Sequence, residues 1–211
     1  MQFLKSGSSR ANLIRRSALA AVVSSWLVCV GTGMATLARY EFTPGQSALT
    51  RPVWPADAEI CRNEAGSTLL MFVHPRCPCS RASLDQLDRI LARCQDRLTA
   101  CIVFCVPDGF ADEWAKSSLW RAADAMPNVT ACIDVSGVES KRFGARTSGQ
   151  VLLYDAGGRL RFGGGITPSR GHGGDNVGEQ KIISIVLGSA NAENLSECSA
   201  FGCPLFDEVE E

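Results

Sequence analysis

The sequence is poor in the side chains that bind nucleic acids. Its 211 residues include only two tyrosines and two histidines, and 21 basic residues nearly balance 22 acidic ones. Nucleic-acid-binding proteins use positively charged surfaces and, for single strands, stacked aromatic rings. We therefore expect no nucleic-acid partner. The hydrophobic content of 45% also excludes a disordered chain, because disordered chains have too little apolar surface to bury.

Acidic residues are absent from the first 40 positions, which instead contain basic residues followed by an apolar stretch. Ser17 to Ala38 is a run of 22 residues without a charge, and as a helix it would span about 33 Å, enough to cross a bilayer. Basic residues before the span predict a cytoplasmic N-terminus and a C-terminal domain in the periplasm. The basic residues are Lys5, Arg10, Arg15 and Arg16.

A cleaved secretory signal, with its cut after Ala38, is the alternative to this anchor. Thr36-Leu37-Ala38 is a poor cleavage site, because such sites have small residues at both flanking positions. We therefore favour a single-pass inner-membrane anchor through residues 17–38. Residues 40–211 carry 16 basic and 22 acidic residues. The predicted organisation is a cytoplasmic tail and anchor (1–39), a stalk rich in Pro, Gly, Ser and Ala (40–67), a folded domain (68–190) and a C-terminal cysteine-pair extension (191–211).

Between the ends, apolar runs of strand length alternate with segments of helical periodicity. The predicted strands are 68–74, 99–106, 129–135, 150–155 and 159–162. The predicted helices are 80–94, 112 to about 125, 136–143 and 179–187. This order, βαβαβα followed by ββα, predicts a parallel sheet extended by an antiparallel hairpin, with helices on both faces.

Two cysteines lie where the first predicted strand meets the first predicted helix, in His74-Pro75-Arg76-Cys77-Pro78-Cys79-Ser80. A helix N-terminus stabilises a thiolate through its unpaired amides and its dipole. Arg76 adds a positive charge beside Cys77, and the preset φ of Pro78 suits the start of a helix. The sequence therefore predicts a lowered pKa at Cys77, which would make it a nucleophile or a metal ligand rather than a packing residue.

The segment from Phe72 to Cys79 resembles the strand and Cys-Gly-Pro-Cys motif of the thioredoxin family, with one residue deleted. Phe143-Gly144-Ala145-Arg146 and Val151-Leu152-Leu153-Tyr154 resemble the segment around that family's cis-proline. The HPRCPCS block and the glycine-rich GGITPSRGH segment are similar to RedB-type thioredoxin-like proteins of bacteria. The resemblance implies a thioredoxin-like three-layer α/β/α sandwich with a mixed sheet, and a membrane-linked redox function that requires no cofactor.

Two departures from the family pattern keep a second hypothesis open. The motif is CxC instead of CxxC, so a Cys77–Cys79 disulfide would be strained and easily reduced. Gly149 falls where the family has proline, and that proline helps to keep metals off the cysteines. We expect either a thiol–disulfide oxidoreductase or a non-enzymatic Cu(I)-binding or copper-delivery protein. In the oxidoreductase, Cys77 is expected to be the better exposed thiol at the helix start and to attack a partner protein or be attacked by it, and Cys79 to resolve the mixed disulfide. A redox-inert interaction module is the third alternative.

Weaker signals surround this motif. His74 would tune Cys77 or simply end the strand. His172, in the glycine-rich stretch 166–178, would act as a proton shuttle, as a metal ligand beside Cys77 and Cys79, or as an ordinary loop residue. Cys198 and Cys203 form a second pair that would be a structural disulfide, a second redox pair or two further metal thiolates. The remaining cysteines within predicted elements are expected to be small buried hydrophobes: Cys94, Cys101, Cys105 and Cys132.

Overall fold

The computed structural model describes residues 6–46, 50–189 and 195–206, so the acidic tail 207–211 lies outside the described residues. The chain divides into two units, Met1–Glu41 and Phe42–Glu211. The first unit is formed by helix α1 (Ser6–Phe42). Within α1, Asn12–Phe42 is long and apolar enough to cross a membrane. This stretch contains the predicted span 17–38.

The second unit is built on a six-stranded mixed sheet. The strands are β1 (Ser67–Val73), β2 (Leu98–Val106), β3 (Val129–Val135), β4 (Gln150–Tyr154), β5 (Leu160–Gly164) and β6 (Ser196–Glu197). Their order in the sheet is β3-β2-β1-β4-β5-β6. Strands β1, β2 and β3 run parallel, β4 pairs antiparallel with both β1 and β5, and β6 pairs parallel with β5.

Helices cover both faces of this sheet. They are α2 (Ser80–Cys94), α3 (Ser118–Asp124), α4 (Val138–Phe143) and α5 (Val177–Val186), with 3-10 helices at Gln95–Arg97 and Asp112–Trp114. Strand side chains alternate between the two faces. Leu69 and Met71 of β1 pack in the core with the apolar residues of α2, α3 and α5, whereas Leu70 and Phe72 pack on the other face with Phe143 of α4. The arrangement confirms the predicted three-layer α/β/α sandwich.

The predicted helix from residue 112 to about 125 is wrong as a single element. Asp112–Trp114 forms a 3-10 turn, and α3 begins only at Ser118. Ser117 separates them: its backbone is extended, and its hydroxyl accepts hydrogen bonds from the amides of Leu119 and Trp120. Such a capping serine starts a new helix instead of continuing an old one.

Part of the segment predicted as a stalk packs onto the folded domain. The amide of Trp54 donates to the carbonyl of Gly158 (2.8 Å), and the amide of Leu160 donates to that of Pro52 (2.8 Å). The Trp54 indole contacts the rings of Phe143 and Tyr154 edge-on, at 5.0 and 5.1 Å between centroids. These contacts extend the core on the α4 face of the sheet.

Candidate thiol redox site

The turn between β1 and α2 holds Cys77 and Cys79 at the start of a helix, as the sequence predicted. The Cys77 amide donates to the His74 carbonyl (2.9 Å), and the Ser80 amide donates to the Cys77 carbonyl (3.3 Å). The Pro78 carbonyl accepts from the Arg81 amide in the first turn of α2. Both sulfurs are therefore carried by a short, hydrogen-bonded turn of defined geometry.

Cys203 reaches this turn from the far end of the chain. The segment 203–205 pairs antiparallel with residues 146–148: the Ser148 amide donates to the Cys203 carbonyl (2.8 Å), and the Leu205 amide donates to the Arg146 carbonyl (2.9 Å). Gly202 lies so close to the Ser148 carbonyl that any Cβ would collide with it. The pairing places Cys203 Sγ 3.3 Å from Cys77 Sγ.

The site is therefore a cluster of three cysteines. The Sγ atoms of Cys77, Cys79 and Cys203 all lie within 4.8 Å of one another. Cys77 is the innermost, with only 2% of its surface exposed, although the sequence favoured it as the better exposed thiol. Cys79 and Cys203 are half-buried and form the accessible side of the cluster.

Hydrogen bonds make Cys77 the thiolate of this cluster. Burial by itself would raise the pKa of Cys77, but hydrogen bonds from Ser80, from the amide and thiol of Cys203 and from Ser148 outweigh it and lower the pKa to about 7. The two serines are positioned in advance, since their hydroxyl oxygens lie 2.8 Å apart and Ser148 also accepts from the His74 amide. His74 thus supports the site through its backbone.

The other two cysteines remain thiols at neutral pH. Burial and the charge of Cys77 raise the pKa of Cys79. Burial, the hydrogen bond with Cys77 and the charges of both neighbouring cysteines raise the pKa of Cys203 to about 12. Arg170 opposes both changes, and its guanidinium also donates to the Gly202 carbonyl. Of the three sulfurs, the most buried one is therefore the first to lose its proton as the pH rises.

Arg76, which the sequence analysis predicted to lower the pKa of Cys77 by its charge, packs on an aromatic ring. Its guanidinium lies over the indole of Trp114, 4.8 Å from the ring centroid. Trp114 also contacts the His74 ring edge-on at 5.3 Å. This cation–π contact positions the guanidinium beside the cysteine turn. The hydrogen bonds described above lower the pKa of Cys77, and the contribution of Arg76 stays a prediction.

Gly149 follows Ser148 beside the start of α2. Its φ is +89°, a conformation that favours glycine, and its amide donates to the Phe72 carbonyl (2.7 Å). A Cβ here would lie 2.8 Å from Ser83 Oγ. The backbone is thus adapted to glycine, and it makes a hydrogen bond that proline cannot donate.

His172 lies in an exposed turn outside the three-cysteine cluster. Its Nδ1 is 2.8 Å from the Arg170 carbonyl and 3.1 Å from Ser169 Oγ, so these contacts orient the ring within its own loop. The same loop approaches the site at Gly171, where a Cβ would lie 3.9 Å from Cys79 Sγ. The loop is therefore close to the site, but the side chain whose charge acts on Cys79 and Cys203 is that of Arg170 and not that of His172.

The second predicted pair, Cys198 and Cys203, is divided in the structure. All ten cysteines fall within the described residues and all are free thiols. The Cys198 amide donates to the Gly163 carbonyl of β5 (3.1 Å), while Cys203 lies against Cys77. Cys94, Cys101 and Cys105 are buried, as predicted. Cys132 is half-buried, with its Sγ 3.0 Å from that of Cys101 on the neighbouring strand.

Several contributors to the site escaped the sequence analysis: Ser80, Trp114, Ser148, Arg170 and Gly202. Two of them carry a weak local signal, since Ser80 follows the cysteine motif directly and Ser148 precedes Gly149. Trp114, Arg170 and Gly202 come together with the motif only through long-range packing. Local sequence patterns contain no information on such contacts.

No family model and no curated protein matches this chain. Among solved structures, it is similar to a hypothetical protein from Sinorhizobium meliloti (TM-score 0.53, 19% identity, 78% of this chain and 94% of that chain). It is also similar to an uncharacterized conserved protein from Geobacillus kaustophilus (TM-score 0.55, 17% identity, 81% of this chain and 95% of that chain). The element order and the mixed sheet agree with the thioredoxin-like fold that the sequence resemblance implied. A secreted Mycobacterium tuberculosis disulfide oxidoreductase homologous to E. coli DsbE matches over a smaller part of the chain (TM-score 0.41, 19% identity, 58% of this chain and 81% of that chain).

Proposed function

We propose that this protein is a membrane-anchored thiol–disulfide oxidoreductase whose reactive group is the Cys77 thiolate. One observation carries the proposal: a buried cysteine at the start of α2, with its pKa lowered to about 7, lies 3.3 Å from a second thiol. A thiolate with a pKa near the ambient pH is the most effective attacking group in disulfide exchange. A second thiol within reach allows the resulting mixed disulfide to be released.

The partner class follows from this chemistry. Thiol–disulfide exchange stores its two electrons in the sulfur–sulfur bond, so no cofactor is required for it. The substrate must present a disulfide or a thiol, and a protein disulfide is the form that predominates outside the cytoplasm. We place the domain on the periplasmic side of the inner membrane, which is supported by the apolar stretch Asn12–Phe42 and the basic residues that precede it.

The proposal is tested with the full chain in detergent, by measuring reduction of a disulfide-bonded test protein. Cys77→Ser should lower the rate at least 100-fold, because serine is not ionised at neutral pH. Cys94→Ser is the matched control, since Cys94 is also a buried cysteine and lies at the other end of α2; it should keep the wild-type rate. An active Cys77→Ser variant, or an inactive wild-type chain, would refute the assignment.

Cu(I) binding is a second candidate function, and the three clustered sulfurs favour it. Cysteine thiolates are soft ligands that select Cu(I), and three Sγ atoms within 4.8 Å of one another match a trigonal sulfur site. Gly149, in place of the family's proline, lies beside this cluster. In this role the protein would bind and deliver copper without catalysing a reaction.

Anaerobic Cu(I) titration of the full chain with X-ray absorption spectroscopy tests this candidate. We expect one ion with three sulfur neighbours in the wild type and two in Cys203→Ser. Cys198→Ser, which leaves the cluster intact, should retain three. If sulfur-bound copper is missing at micromolar metal, or if its coordination is the same in Cys203→Ser, the copper site is excluded.

A further inference from the structure

We propose that the disulfide formed during turnover joins Cys77 to Cys203, which makes Cys203 the resolving cysteine. The inference rests on the oxidoreductase function proposed above. It assigns to the C-terminal segment a role that the sequence pattern gave to Cys79. The argument depends on the position of Cys203, on the contacts that hold it and on the poor geometry of the alternative pair.

The position of Cys203 is already close to that of a bonded partner. Its Sγ lies 3.3 Å from Cys77 Sγ, and a disulfide bond is about 2.0 Å long. The two sulfurs therefore need to approach by only about 1.3 Å.

Several contacts hold Cys203 at that position. The segment 203–205 is paired through its backbone with residues 146–148. Leu205 is only 3% exposed and packs in the apolar cluster on the α4 face of the sheet. Gly202 lies against the Ser148 carbonyl, and the Arg170 guanidinium donates to the Gly202 carbonyl. A resolving thiol that is held in place reacts faster than a free one, because the entropy of encounter is already lost.

Cys79 is the less suitable partner for Cys77. Only Pro78 separates them, so a disulfide between them would close a small, strained ring. The proline also fixes its own backbone φ, which limits how that ring can adjust. The position three residues after Cys77, where a CxxC motif has its second cysteine, is Ser80. Ser80 hydrogen-bonds to the Cys77 sulfur and has no sulfur to offer. Cys203 thus supplies the second thiol that the motif lacks at this position.

The proposed reaction balances in two steps. The Cys77 thiolate attacks one sulfur of a substrate disulfide, which forms a mixed disulfide and releases the other substrate sulfur as a thiolate. Cys203 then loses its proton and attacks Cys77 Sγ, which forms the Cys77–Cys203 bond and releases the second substrate sulfur. The two cysteines lose two electrons, and the substrate sulfurs gain them. Cys203 supplies one proton, and solvent supplies the other, which replaces the proton that Cys77 lost when it ionised. A thiol reductant restores the dithiol by the reverse exchange.

Peptide mapping after oxidation identifies the bond directly. The full chain is equilibrated with oxidised glutathione, free thiols are alkylated, and the protein is digested with trypsin under non-reducing conditions. Cys77 and Cys79 share the peptide 77–81, whereas Cys203 lies in the peptide 182–211. We expect these two peptides to be cross-linked in the wild type and in Cys79→Ser, and the link to disappear on reduction.

Cys198 lies in the same C-terminal peptide, so Cys198→Ser is the matched control and should retain the cross-link. Cys203→Ser should abolish it and should stop turnover after the mixed disulfide, which would then accumulate as an adduct on Cys77. Circular dichroism of each variant confirms that it is folded.

The outcomes separate this inference from the function on which it rests. An internal Cys77–Cys79 disulfide, together with an active Cys203→Ser variant, would overturn the inference and leave the oxidoreductase function intact. A cross-link through Cys198 would also overturn it. A wild-type chain without reductase activity and without any reversible disulfide at Cys77 would refute the proposed function itself.

Discussion

Cys77 Sγ and Cys203 Sγ lie 3.3 Å apart although 126 positions separate the two residues in the chain. The contact is made because the C-terminal segment pairs with residues 146–148, which themselves follow α4 and lie beside the start of α2. The same segment covers Cys77, hydrogen-bonds to it and places a second thiol beside it. The C-terminal region is therefore part of the site and not an appendage to the fold.

The first prediction concerns the pH dependence of Cys77. Its pKa is lowered from 9.0 to about 7, so the thiolate should be present above pH 7 and should be lost as the pH falls below it. The ultraviolet absorbance of thiolates is measured as a function of pH for the wild type and for Cys77→Ser. The difference between the two curves should show a single step near pH 7. A step near the ordinary thiol pKa would contradict the hydrogen-bonding scheme.

The second prediction concerns Ser80, the largest hydrogen-bonding contribution to the lowered pKa of Cys77. Ser80→Ala should raise this pKa towards its ordinary value, because a hydrogen bond to a charged group contributes about 1.5–3 kcal/mol. The rate of Cys77 alkylation at neutral pH should fall several-fold. Ser83→Ala is the control, since Ser83 is a buried serine on the same helix; it should leave the pH profile unchanged.

The third prediction concerns Gly202, whose backbone touches the Ser148 carbonyl. Gly202→Ala should push the segment 203–205 away from the site, which exposes Cys77 and removes the hydrogen bonds from Cys203. Cys77 should then react faster with a bulky thiol reagent above pH 9, where it is ionised in either case. Gly173→Ala should have no effect, because its Cβ would make only an ordinary contact, at 3.9 Å from Gln86 Oε1. An unchanged rate in Gly202→Ala would show that the segment does not cover Cys77.

The fourth prediction concerns Gly149, whose backbone has a positive φ. Gly149→Pro should lower the free energy of unfolding by about 3 kcal/mol or more, because proline cannot adopt a positive φ and lacks an amide proton. The observed φ of +89° and the hydrogen bond to the Phe72 carbonyl are both incompatible with it. Urea unfolding measures the change, and a neutral effect would mean that the backbone at this position is not adapted to glycine.

The fifth prediction concerns Cys198, which is a free thiol in the structure. Cys198→Ser should change the free energy of unfolding by about 1 kcal/mol or less, as for a partly exposed substitution without a special role. A structural disulfide at this position would instead make the loss about 2–3 kcal/mol. Thermal unfolding of the variant under oxidising conditions distinguishes the two results.

Local sequence patterns were enough to predict several of the secondary-structure elements. The alternation of apolar and charged positions predicted α2 with the bounds that the structure has, Ser80–Cys94, and β3 with its bounds Val129–Val135. The same patterns gave the order of elements, and with it the layered mixed sheet. Prediction failed after Asp112, where a capping serine interrupts a pattern that otherwise appears helical.

The chemistry of the site divides in the same way. Cys77 and Cys79 could be predicted, because a strand, a turn and a helix that follow one another in sequence also place them together in space. Tertiary packing determines which groups hydrogen-bond to Cys77, which ring Arg76 packs against and which cysteine completes the cluster. These contacts depend on Ser148, Trp114 and Cys203, which reach the cysteine turn through long-range backbone pairing and packing that no local pattern encodes.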